Sequence, residues 1–353
     1  MRTRALTVAA VAVAAAGCTR DASDSAAERA IEFSVVVDTG WSADGAVFTR
    51  PADMVVHASG EVAVLEYSPA SIVTVDPASG AVTRRMGGPG AGPGELNTPL
   101  GLLRIGDTLL TLNAGNQRIE RYLADGTVLP SRRAPVGFGL GRFAFTPDGG
   151  MLIPMAGADS TLLRVLDADG ALVRRVGKPR APFDRRWDVV AFRALADQLQ
   201  VPEYYANDVL AAATPDSIYW LAFNAFPEII ALRPSGDTVA AFRLPDSVAA
   251  PILLDYRERN RAEKDPRRFQ QLLYFADLRI SGPYVWALLR NAPAQDARAF
   301  VLDTEGTLVA DITFVGASDV WRIAPDLASG VVYLTSATAS ELYRARLPAA
   351  LVR

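Results

Sequence analysis

One phrase recurs through the chain and narrows its fold more than any other feature. It is an apolar strand, a polar turn closed by glycine, and a second apolar strand. It occupies 73–83, 121–129, 165–173, 230–239 and 301–309, with Gly80, Gly126, Gly170, Gly236 and Gly306 at the turns. Such a turn needs a residue at positive φ, which glycine adopts without a steric penalty. The flanking segments alternate or run apolar for a few residues and end at Gly, Pro, Asp or Asn, as short strands do. Successive turn glycines are separated by 46, 44, 66 and 70 residues. Two of these intervals match the ~40–50-residue unit of a four-stranded propeller blade. The other two are that unit with an insertion.

A further strand pair at Val331–Thr335 and Glu341–Ala345 supplies another unit, so the chain after residue 30 has room for six. The expected fold is therefore all-β: a six-bladed β-propeller over 31–353 with two short helical insertions on one face. The last blade lacks an outer strand before the chain stops at Arg353, and Ile31–Val37 is a spare strand at the other end. That strand is expected to complete the final blade and close the ring, leaving no long edge unpaired. The first insertion places Trp187, Val190, Ala194 and Leu195 near helical spacing. The second offers Asp265 as N-cap, Pro266 in the first turn, and Phe269, Leu272, Leu273 and Ala276 on one face. Both lie between consecutive blades, where connections share one face of the ring.

Composition removes several functions. A net charge of −3 with 50 % hydrophobic residues fits neither a nucleic-acid binder nor a disordered chain. One histidine, His57, and one cysteine, Cys18, exclude most His/Cys metal sites and any intrachain disulfide. His57 reads as a hydrogen-bonded strand residue, since no serine or cysteine nucleophile phrase surrounds it. The Gly87–Gly94 run lacks the Gly-Lys-Ser/Thr ending of a phosphate-binding loop. The segment Arg257–Arg268 alternates in sign and reads as a solvated helix face.

The first residues are an address. Arg2 and Arg4 precede an apolar run from Ala5 to Ala16, too short to span a bilayer and suited to a secretory signal. Ala15-Ala16-Gly17-Cys18 then resembles a bacterial lipoprotein signal, which implies cleavage before Cys18 and lipidation of its thiol. It departs from that pattern at Ala15, where leucine is usual, so plain secretion after an Ala-x-Ala site is the competing reading. The resulting division is a signal peptide over 1–17, a small-residue tether over 18–30, and the propeller domain. Thr19 in place of an aspartate leaves outer-membrane anchoring open.

The glycine-rich stretch 87–99 followed by 109–122 resembles an NHL-type repeat, in which a Pro-Gly-Glu-Phe linker leads to a strand and then to Asp-x-x-Asn-x-Arg-Ile-x-x-Phe. Asn116, Arg118 and Ile119 agree with the pattern; Leu96, Asn113 and Tyr122 depart from it. The chain is similar in outline to six-bladed bacterial propeller lipoproteins of the NHL-repeat and TolB-like kind, most of which have no assigned activity. The resemblance implies that Asn116 and Arg118 tie neighbouring blades together.

Related propellers include lactonases, which hold a divalent metal in the central tunnel with Glu, Asn and Asp. Oxygen ligands of that kind suit Ca²⁺, although no cofactor is predicted and no ligand set can be named from the motif. Other relatives are amidating lyases that rely on several histidines, which a chain with His57 alone cannot supply. Loops between the second and third strands would carry Glu66, Asn113, Asn116, Arg118, Asp159, Asn224, Arg290 and Asn291 on the helical face. Of these, Asn116, Arg118, Asn224 and Arg290 are the expected ligand-binding residues, with no catalytic residue assigned.

The leading expectation is a non-catalytic, membrane-anchored cell-envelope propeller that binds a protein partner or small ligand at that face. The alternatives are a lactonase-type, metal-dependent hydrolase and a structural part of an envelope complex.

Overall fold

The computed structural model describes residues 30–38, 41, 48–134, 144–183, 186–290, 295–336 and 341–352. The signal peptide, Cys18, nearly all of the tether, and Asn291 lie outside them. Among the described residues twenty-four strands form six sheets arranged as blades. β1 (Ile31–Val36) is followed by blade 1, comprising β2 (Pro51–Val56), β3 (Val62–Tyr67), β4 (Ala70–Val75) and β5 (Val82–Met86). Blade 2 is β6 (Pro99–Ile105), β7 (Thr108–Asn113), β8 (Arg118–Leu123) and β9 (Val128–Arg133). Blade 3 is β10 (Ala144–Phe145), β11 (Met151–Pro154), β12 (Leu163–Leu166) and β13 (Leu172–Val176).

Helix α1 (Val189–Asp197) leads to blade 4, which is β14 (Val209–Ala213), β15 (Tyr219–Phe223), β16 (Glu228–Leu232) and β17 (Thr238–Arg243). Helix α2 (Asp246–Ala262) leads to blade 5, which is β18 (Phe275–Ser281), β19 (Tyr284–Leu289), β20 (Asp296–Leu302) and β21 (Leu308–Ser318). Blade 6 has β22 (Val320–Asp326), β23 (Val331–Ser336) and β24 (Leu342–Arg346). All five repeated turn glycines have positive φ, from +71° at Gly80 to +92° at Gly236.

Apart from the pairing of β1, each blade is antiparallel and packs both faces against its neighbours, so the core is a set of clusters between blades. Leu65, Ile72, Leu96 and Tyr122 fill the first interface, and Trp286, Leu288, Ile312 and Leu334 fill the one between blades 5 and 6. This sandwiching explains why the strands read as apolar runs as often as alternations.

Two expectations are corrected. The N-terminal strand does not complete blade 6. It pairs in parallel with β21 from Ile31–Ala310 to Val36–Val315, as a fifth strand of blade 5, and only Asp38 bridges to Arg344 of β24. Among the described residues blade 6 has three strands. Its junction with blade 1 is closed by side chains: Trp41 packs on Tyr333 at 5.4 Å and donates Nε1–H to the Pro77 carbonyl at 2.8 Å. Trp41 and Phe48 thereby join a cluster shared by Met54, Val73, Ala324 and Leu342. These apolar side chains cover the edge of blade 6 that faces blade 1.

The second helix is also displaced. Asp265 caps only a turn, accepting from the Arg267 N–H at 2.9 Å, and the helix runs upstream over Asp246–Ala262. Val248, Ile252 and Tyr256 anchor it to blades 4 and 5. The alternating-sign stretch is helical only as far as Ala262. Helix α1 lies where expected, with Asp188 as N-cap accepting from the Ala191 N–H at 3.0 Å. The two helices pack together: Arg261 meets Asp197 at 2.7 Å, and Arg193 donates to the Arg268 carbonyl at 2.8 Å. They cap one face of the ring. No helix among the described residues is long and apolar enough to cross a membrane.

Candidate functional site

The innermost strand of every blade starts at the capped face and ends at the opposite one, with one backbone edge facing the axis. Together these strands enclose a cavity of about 960 Å³, within the ~300–1,000 Å³ range of small-molecule sites. It opens among the turns that join first and second strands, lined there by Ala58, Gly106, Pro147, Pro215, Gly282 and Ala328. Its walls are mainly aliphatic, including Val55, Leu103, Ile105, Ala213, Ile280 and Ala324.

The floor is charged. β-bulges near the starts of β2 and β18 turn Asp53 and Asp277 toward neighbouring blades. Asp53 accepts from the Leu102 N–H of blade 2 at 2.7 Å and from Met54 N–H at 2.9 Å. Asp277 accepts from the Ile323 N–H of blade 6 at 3.2 Å and from Leu278 N–H at 3.0 Å. Arg279 spans the two, pairing with Asp277 at 2.9 Å through Nε and with Asp53 through Nη2. Arg322 extends the belt by donating to the Ala52 carbonyl at 2.6 Å and the Ala276 carbonyl at 3.4 Å. Burial opposes the charge of Arg279, but Asp277 and Asp53 outweigh it and hold the guanidinium above its ordinary value.

Both carboxylates are thus saturated by backbone N–H groups and a guanidinium. This donor set does not fit a Ca²⁺ ion, which needs six to eight oxygen ligands, without displacing Arg279. Among the described residues no three His, Cys, Asp or Glu side chains gather in a way that could hold a metal. His57, at the cavity wall, is buried, with Nδ1 3.1 Å from Ser59 Oγ and Nε2 3.4 Å from the Asp107 carbonyl, so it joins blade 1 to blade 2.

The four residues expected to bind a ligand lie on the capped face, and the structure does not bring them together. Asn116 donates to the Gly90 carbonyl at 2.8 Å. Arg118 donates to the Gly92 carbonyl at 2.8 Å and pairs with buried Glu120 at 2.8 Å. With Asn113 on the Glu95 carbonyl and Tyr122 Oη on the Gly94 carbonyl, they pin the glycine-rich linker between blades 1 and 2. Arg290 pairs with Asp319 at 2.9 Å and stacks on Trp321.

Asn224 is buried and donates to Asp208 Oδ2 at 3.1 Å, an oxygen that also accepts from Gln271 at 2.6 Å. Asp208 Oδ1 has no hydrogen-bond partner, and burial pushes this carboxyl up to about 6 despite both amides. Of the other loop residues, Glu66 accepts from the Thr49 and Arg50 N–H groups, and burial raises its pKa. Asp159 is held below the usual carboxylate range: burial opposes this, but Thr161, Arg164 and Arg175 prevail.

The belt of Asp53, Asp277, Arg279 and Arg322 escaped the sequence reading because its members belong to different blades. The available signal was a charged residue inside an otherwise apolar first strand, as in Asp53-Met-Val-Val and Asp277-Leu-Arg-Ile.

No family model and no curated protein matches the chain. Among solved structures it resembles a protein ascribed to export in Bacteroides fragilis, at 10 % identity and TM-score 0.54, covering 90 % of this chain and 99 % of that one. It also resembles the PQQ-bound aldose sugar dehydrogenase of Streptomyces coelicolor, at 15 % identity and TM-score 0.51, covering 88 % and 98 %. Virginiamycin B lyase of Staphylococcus aureus aligns at 12 % identity and TM-score 0.45, over 84 % and 80 %. At these identities the likeness is of fold. The protein is a six-bladed β-propeller whose structural neighbours are bacterial propellers, some of them enzymes.

Proposed function

We propose that this protein is an exported, lipid-anchored binding propeller that holds a small ligand or a segment of a partner in its central cavity. The observation that carries this reading is the cavity itself: it is wide, open at one face, and bears at its other end a belt whose charges are spent on one another. Such a floor is rigid and preformed, which suits binding. It leaves neither carboxylate available as a general base or metal ligand, which weighs against the lactonase-type alternative. The anchor rests on the Cys18 motif.

Two experiments test the two halves. Cys18→Ala should move the protein from the membrane to the soluble periplasmic fraction; unchanged membrane retention contradicts lipidation. Ala58→Trp and Ala328→Trp, at exposed mouth positions of blades 1 and 6, should abolish thermal stabilisation by any ligand found in a metabolite and peptide screen. Ligand stabilisation that survives both substitutions removes the cavity from the account.

A further inference from the structure

One outer edge of the ring is unlike the others. The outermost strand of a blade offers a row of backbone N–H and C=O groups that can pair with an extended chain, and natural sheets guard such rows with charge or proline. The described outer strands of five blades are guarded in this way. β5 carries Arg84 and Arg85, β9 Pro130 with Arg132 and Arg133, and β13 Arg174 and Arg175; β17 ends in Arg243, and β24 has Arg344 and Arg346. β1, the outermost strand of blade 5, reads Ile-Glu-Phe-Ser-Val-Val, with no basic residue and no proline. Its surface is largely apolar. Val36 is 74 % exposed and Ile31 53 %, and Val36 pairs with Val315 of β21, itself 37 % exposed.

Hydrogen-bond directions define what this edge can take. The Val37 N–H donates to the Val315 carbonyl at 3.1 Å, whereas the Asp38 N–H turns the other way, to the Arg344 carbonyl of blade 6 at 2.7 Å. Backbone direction alternates along a strand, so Phe33 and Val35 face β21 as Val37 does, and Glu32, Ser34 and Val36 face outward as Asp38 does. Among the described residues those three have no backbone partner on the outer side.

This outward row is its own complement. A two-fold axis at Ser34 sets Ser34 against Ser34 of a second copy, Glu32 against that copy's Val36, and Val36 against its Glu32. All three are hydrogen-bonded pairs of an antiparallel ladder, so every outward N–H and C=O gains a partner. Phe33 and Val35 meet in the closer pairs between them, and the two Glu32 carboxylates are held at opposite ends. Pairing of six-residue strands buries less than a permanent dimer does, so the association is weak and set by concentration. The anchor proposed above would confine copies to one surface and raise that concentration.

We infer that β1 is a self-association edge, through which two copies of this chain join blade 5 to blade 5 by antiparallel pairing of Ile31–Val36. The inference does not depend on the cavity.

The test is sedimentation of the Cys18→Ala chain, which has no other cysteine, across micromolar to millimolar concentrations. A reversible dimer should form. Val36→Lys, which supplies the missing guard, and Ser34→Pro, which removes an N–H facing outward, should each weaken it at least tenfold. Ser34→Ala keeps the backbone and should leave it unchanged. Val82→Lys, at an exposed position of the guarded edge of blade 1, is the inert control. All four substitutions lie at surface positions outside the ladder to the neighbouring strand or in exposed side chains, so thermal melts should match the parent. Hydrogen-bonded partners lie about 5.5 Å apart between Cα atoms, within disulfide reach, so Ser34→Cys should crosslink the dimer on oxidation and Val82→Cys should not. A chain that stays monomeric throughout overturns the inference and leaves the edge to a strand of another protein or to the chain's own N-terminal segment. A dimer that survives both Val36→Lys and Ser34→Pro, or that Ser34→Cys fails to crosslink, overturns it as well.

Discussion

Asp208 couples the capped face to the ring and makes stability depend on pH in a calculable way. It is 6 % exposed, has no cationic partner among the described residues, and is pushed from 3.8 up to about 6 by burial, although Asn224 and Gln271 donate to one of its oxygens. A raised carboxyl pKa means that the folded state holds its proton where the unfolded chain has released it. Between pH ~4 and ~6 the native state binds more protons, so stability falls as pH rises through that window and is level above it. Two pKa units correspond to about 3 kcal/mol at ~1.4 kcal/mol per unit. Asp208→Asn keeps the shape and an acceptor for the two amides and removes the charge. The stability of the variant relative to the parent should therefore increase by about 3 kcal/mol between pH 4 and pH 7. Urea unfolding of both proteins across that range reads this directly. A difference that stays constant with pH, or that favours the parent increasingly as pH rises, refutes the assignment of Asp208 as a buried, unpaired carboxylate.

Other substitutions test the belt, the linker and the ring closure. Arg279→Met leaves Asp53 and Asp277 without their shared cation and should cost about 3–5 kcal/mol in denaturant unfolding. Gly94→Ala forces a side chain into φ +72° and places its Cβ 2.7 Å from Val128 Cγ2, so a loss of about 1–3 kcal/mol is expected in the same assay. Deleting residues 1–36 removes β1 but keeps the Trp41 wedge. The ring should still melt in one transition with a midpoint a few degrees lower, whereas loss of cooperative melting would show that β1 closes the ring after all.

The repeat itself was legible because its chemistry is local. A hairpin turn that needs positive φ selects glycine wherever it occurs, so five glycines counted blades without any knowledge of contacts. Strand partnership is not local. The alternation in Ile31–Val36 says that a strand forms, but nothing in it distinguishes the edge of blade 5 from that of blade 6. The upstream helix was obscured by Pro251 in its first half, while Asp265-Pro266 offered a better N-terminal signature that serves only a turn. The NHL-like residues were readable as a motif, and their hydrogen bonds to the linker follow from that motif. The charged floor was not readable: Asp53 and Arg279 are 226 residues apart, and only ring closure makes them neighbours.

Hydrogen exchange of the full chain with and without a saturating compound that stabilises it in the metabolite and peptide screen tests the central claim most directly, because it maps where a ligand sits without presuming the residues involved. The account predicts slowed exchange at the mouth turns near 57–61, 104–108, 147–150, 213–218 and 326–330, with the capped-face segments 186–208 and 244–274 unchanged. Protection confined to the capped segments would contradict it and move the binding site to the opposite side of the ring.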